Sequence, residues 1–182
     1  MMPLRRALIV GVVALAACRP PAADEYTQRT ELSERESEAR VVMEDPDTSA
    51  AIWAPSAREN RLLFGTPGAP PLLALACEDG GTRQARIALT RYVAADPQAS
   101  ALIAIIGNSH IARLPVETRW NGRAWLWTGN WDACAPELAV FTGNRAIDAT
   151  IPGAGTIAME GSTLPGELVS SCAPAEPIDP PA

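Results

Sequence analysis

Between residues 110 and 131 the chain reads HIARLPVETRWNGRAWLWTGNW, two alternating runs joined by Asn121-Gly122. Alternation of apolar and polar residues with period two suits a half-buried β-strand. Asn-Gly is a strong short-range hairpin signal, because both residues tolerate positive φ. A two-residue turn would pair residue 120 with 123, 118 with 125 and 116 with 127. Side chains alternate between the faces of a strand, so Trp120, Trp125 and Trp127 share one face with Val116 and Thr118. Glu117, Arg119, Ala124 and Leu126 take the other. A lone two-stranded ribbon is marginal in water, so the aromatic face demands further strands to cover it.

The neighbouring sequence supplies them. "PPLLALACE" and "RQARIALTRYV" flank Asp79-Gly80-Gly81, with Ala85, Ile87 and Leu89 on one face and Arg86 and Thr90 on the other. "ALIAIIG" reads as a buried strand that ends in a turn at Gly107-Asn108-Ser109. "ELAVFTG" and "RAIDATIPG" flank Gly143-Asn144 and predict a third hairpin, which "GTIAMEG" continues. Helical turns are expected over Asp132 to Leu138, and over Leu164 to Cys172 behind Ser162 or Thr163. Short strands at close turn spacing predict a mainly β domain, an antiparallel β-sandwich or partly open barrel with one or two short helical turns.

The first residues carry a different pattern. Arg5 and Arg6 precede an uncharged apolar run, Ala7 to Ala17, which is too short to span a bilayer but suits the apolar region of a signal peptide. The run ends at Leu15-Ala16-Ala17-Cys18. These four residues resemble the lipobox of bacterial lipoproteins, in which the cysteine thiol receives a diacylglyceryl group and the signal is cut just before it. The resemblance implies that residues 1–17 are removed and that Cys18 is the lipidated first residue of the mature chain. Several acyl chains anchor a protein stably, where one alone binds only marginally. It also implies a membrane partner through Cys18 and, because Arg19 rather than Asp follows, a place at the outer membrane facing the periplasm.

Residues 18–50 read as a lipidated N-terminus and disordered tether: prolines and many charges leave too little apolar surface to offset ordering entropy. Residues 51–172 are expected to form a single β domain, and 173–182 a disordered Pro-rich tail. Of the remaining cysteines, Cys77, Cys134 and Cys172, only two can pair, so three pairings are open. Cys77 with Cys172 is favoured because each ends an apolar segment, "LLALAC" and "ELVSSC". Closing so long a loop is worth about 4–5 kcal/mol in the chain-entropy picture.

Charge and chemistry narrow the function. Net charge is −6 over 182 residues, and loss of Arg5 and Arg6 leaves the mature chain more acidic still. Such a surface offers little to nucleic-acid phosphates, and it predicts membrane attachment through the acyl chains alone. No cofactor or metal site is expected: there is no C-x-x-C, and His110 is the only histidine. His110 would have to serve as base in any Ser-His-Asp site, yet it sits beside the Gly107-Asn108-Ser109 turn. Glu44-Asp45-Pro46-Asp47 and Glu78-Asp79 lack calcium-loop spacing and read as solvated turn charge.

The sequence therefore predicts a non-catalytic, lipid-anchored envelope protein with a periplasm-facing β domain for binding or envelope maintenance, its partner an envelope protein or glycan. Trp120, Trp125 and Trp127 are expected to pack into the core, since large aromatics are mostly buried. The rival reading makes them an exposed platform of a glycan- or peptidoglycan-binding module. A small envelope hydrolase using His110 or Cys134 is the third.

Overall fold

The computed structural model describes residues 44–174. The signal sequence, Cys18, most of the tether and the end of the Pro-rich tail lie outside the described residues. The described chain is mainly antiparallel β: nine strands in one nearly closed, barrel-like sheet, with two short helices. In chain order the strands are β1 (Ile52–Pro55), β2 (Arg61–Gly65), β3 (Leu73–Glu78), β4 (Arg86–Ala94), β5 (Ser100–Gly107), β6 (His110–Trp120), β7 (Trp125–Asp132), β8 (Ile147–Ile151) and β9 (Gly155–Met159). Across the sheet they run β1-β2-β3-β4-β7-β6-β5-β8-β9. A 3-10 helix spans Pro136–Phe141, and α1 spans Leu164–Cys172.

Strict alternation builds the interior. Ile87 and Leu89 of β4 point inward as their spacing predicts, while Arg86 between them and the turn is exposed. Ile103 and Ile105 of β5, Ile147 and Ile151 of β8, and Ile157 of β9 complete the opposite wall. Burying side chains of this size contributes about 1.5–3 kcal/mol each. β1 and β2 escaped the sequence reading. Their signal was there in Trp53 and Phe64, which alternate with exposed or half-buried neighbours and meet inside at a centroid distance of 5.3 Å.

Helix α1 packs on β3 and the 3-10 helix. The Cys77–Cys172 disulfide ties the end of β3 to the end of α1, with Cα atoms 5.5 Å apart. The Gly81 N–H donates to the Cys172 carbonyl at 3.0 Å. A Cβ on Gly80 would stand 2.7 Å from the Cys77 sulfur, so the loop approaches the bridge only as glycine.

Two hairpin expectations need correction. At Asn121-Gly122 the turn is a four-residue loop, closed by the Asn121 N–H on the Ala124 carbonyl at 3.1 Å. The Asn121 side-chain oxygen accepts from the Arg123 and Ala124 N–H groups, both at 2.9 Å. Only Gly122 has positive φ there, whereas a two-residue type I′ turn needs it at both tip residues. The register is thus Trp120 opposite Trp125 and Thr118 opposite Trp127, two residues from the expected pairing. An even slip preserves the faces. The true two-residue turn is Asn108-Ser109, with φ 50° and 66°, joining β5 to β6.

The second correction concerns "ELAVFTG". It forms the 3-10 helix and no strand, so Gly143-Asn144 is not a hairpin tip. Pro136 opens the helix, and Leu138, Val140 and Phe141 are buried. A short apolar run is compatible with either element, and packing against β6 decided this one. The helical turn expected from Asp132 is correspondingly displaced toward the C-terminus.

Candidate binding sites at the barrel mouth and between β6 and β7

Consider first the end of the barrel where the β6–β7 hairpin projects. Trp120 and Trp125 face each other across the ladder with ring centroids 6.1 Å apart. Trp120 is 56% exposed and Trp125 half-buried, while Trp127, one step further in, is only 7% exposed. Core packing thus holds for Trp127 and fails for Trp120, because the hairpin outruns the strands that would cover its tip. Trp127 borders a depression of about 460 Å³, with Ala94, Ala95 and Asp96 on one side and Pro152 and Gly153 on the other.

Behind this mouth lies Arg91, which stands opposite Trp127 in the ladder and is only 5% exposed. Its guanidinium donates to the Leu72 carbonyl at 3.1 Å and to the Ala154 carbonyl at 3.3 Å, so it reaches from its own wall to the β8–β9 turn. Burial pulls its pKa below the ordinary arginine value, and the charge of Asp45 opposes that pull. Asp45 belongs to the same end: its carboxylate accepts the Thr156 N–H of β9 at 2.6 Å.

The second site sits on the outside of the sheet. β6 and β7 pair only where Glu117–Trp120 meets Trp125–Thr128. Beyond that point the two strands part, and the Trp131 indole N–H bridges them by donating to the Pro115 carbonyl at 3.1 Å. A Cβ on Gly129 would fall 2.2 Å from the Trp131 ring, so glycine makes room for the bridging indole. Over the parting lies a cleft of about 510 Å³, lined by Arg86, Ser100, Pro115, Glu117, Arg119 and Asn130 among others.

Its polar side chains are already held. Asn130 donates to the Glu78 carboxylate at 2.8 Å and accepts from Arg86 Nε. A second Arg86 nitrogen donates to the Asn130 carbonyl at 3.2 Å. Arg119 pairs with Glu117 through two nitrogens, at 2.5 and 3.0 Å. Glu78, read from sequence as turn charge, is therefore part of a cross-strand network. Sequence reading missed this cleft because its residues come from four strands; the only local hint was Gly129 between two bulky tryptophans.

His110 and Cys134 are both exposed. His110 opens β6 beside the Asn108-Ser109 turn, and the Cys134 N–H donates to the Asp132 carboxylate at 2.8 Å. Neither lines the mouth depression or the cleft. Among the described residues no three His, Cys, Asp or Glu side chains gather as a metal-holding group. Comparison with family models, with curated proteins and with solved structures gives no match.

Proposed function

We propose that the chain is a non-catalytic, lipid-anchored envelope protein, held at the outer membrane through Cys18, whose β domain binds a hydroxyl- and carboxylate-bearing polymer such as a cell-wall glycan. One observation carries the binding role: the cleft between β6 and β7, with its Arg86–Asn130–Glu78 and Arg119–Glu117 pairs oriented in advance. Side chains fixed before binding lose less conformational entropy when a ligand arrives. Arginine and asparagine present planar, divided donors to hydroxyl and carboxylate oxygens. The anchoring half of the reading rests on Leu15-Ala16-Ala17-Cys18 and the basic and apolar segments before it.

The full chain should sediment with isolated peptidoglycan sacculi. Replacing Arg86 and Asn130 together by Ala should release it while leaving its thermal unfolding close to that of the parent. Retention by the double variant would overturn the cleft as the ligand seat. A second reading, a glycan platform at the tryptophans, is favoured by the exposure of Trp120. Release by Trp120→Ala, with the cleft variant still bound, would support it.

A further inference from the structure

We infer that the β6–β7 hairpin tip rests in the interfacial layer of the bilayer that holds the protein, with Trp120 and Trp125 as its contact; this depends on the Cys18 anchor proposed above. The tip presents a pair of tryptophans, Trp120 56% exposed and Trp125 half-buried, with the exposed cation Arg123 between them in sequence and Arg119, paired with Glu117, next to Trp120. Tryptophan is the side chain that gains most from the headgroup region, where its apolar ring is covered and its N–H stays wet. Arginine beside it can lay its methylenes along the apolar boundary and keep its charge among the phosphates.

The path of the chain identifies the occupant. Residues 19–43 separate Cys18 from the first described residue. The chain joins the barrel at its mouth: Asp45 binds the Thr156 N–H, just past the β8–β9 turn. That turn supplies Pro152 and Gly153 to the depression that Trp127 borders. The β4–β5 connection closes the same end, with the Ala95 N–H on the Trp125 carbonyl at 3.0 Å. A tether that begins in the membrane therefore arrives at the end that carries the tryptophan pair. Acids stand at this end as well: Asp96 lines the depression, and Asp45, with exposed Glu44 and Asp47 beside it in sequence, enters at Thr156, so the contact is one for zwitterionic rather than anionic headgroups.

The test uses the full acylated chain, reconstituted in phosphatidylcholine vesicles with or without bromine near the headgroup end of the acyl chains. Bromine quenches tryptophan only at short range. The vesicle-bound chain should lose its red-edge emission on brominated lipid, and replacing Trp120 and Trp125 together by Phe should remove that loss. Undiminished emission from a chain that floats with the vesicles would overturn the docking and leave the anchor standing. A chain that does not float would overturn the anchor, and the docking with it. Emission that shifts with chito-oligosaccharide in detergent, and is insensitive to bromine, would overturn the membrane contact in favour of glycan stacking.

Discussion

Three tryptophans on one face of one hairpin have three different environments, and the difference is where each lies along the strand. Trp127 sits between flanking strands and is covered; Trp120 lies past their ends and is open. Trp127→Ala should cost about 3–5 kcal/mol, the range for large aromatics removed from cores. Trp120→Ala should change stability by no more than about 0.5 kcal/mol. Iodide should quench a red-shifted component that Trp120→Phe abolishes, and leave a blue-shifted remainder from the buried Trp53, Trp127 and Trp131. Quenching that is uniform across the emission band would contradict this division. Alternation placed the three rings on one face correctly, since parity survives an even slip in register. It could not tell how far the neighbouring strands extend, and that length sets exposure.

At the scale of the element, turn geometry decided what composition left open. Asn121-Gly122 carries the stronger dipeptide signal, yet the tight turn formed at Asn108-Ser109. There the Asn108 amide donates to the Val140 carbonyl at 3.0 Å, and its oxygen accepts the Arg145 N–H at 3.0 Å. Those partners come from the 3-10 helix and the segment after it, so no local window could have revealed them. Ser109 has φ 66°, a conformation that costs a non-glycine residue about 1 kcal/mol or more. Ser109→Gly removes that strain and also the contact of the Ser109 hydroxyl with Arg145 at 3.0 Å. The exposed hydrogen bond is the smaller effect, so the substitution should raise the denaturation midpoint modestly. A lowered midpoint would show that the Arg145 contact outweighs the strain. The same dependence on distant packing turned "ELAVF" into a 3-10 helix, whereas Leu164–Cys172, with its own helix-start residues, was legible directly.

For the whole molecule, the legible parts were those written in periodicity or in single reactive residues: the antiparallel β class, the inward rows of β4, and the Cys77–Cys172 bridge. The cleft was not, because Arg86, Asn130 and Glu117 become neighbours only once β7 has paired with β4 on one side and with β6 on the other. The bridge spans 95 residues in sequence, and its reduction should lower stability by up to about 4–5 kcal/mol. Before reduction, peptide mapping should find Cys134 alkylated and Cys77 and Cys172 protected; a bridge to Cys134 would contradict the pairing. The docked hairpin, and the periplasm-facing placement of the ligand cleft, both presuppose attachment at Cys18. The most direct measurement is the intact mass and detergent partitioning of the full chain matured in a Gram-negative host. Loss of residues 1–17 together with the added mass of a diacylglyceryl group and a further acyl chain on Cys18, and partitioning that Cys18→Ser abolishes, is the predicted result. A chain cut elsewhere, or one that partitions unchanged with Ser at position 18, would contradict the account.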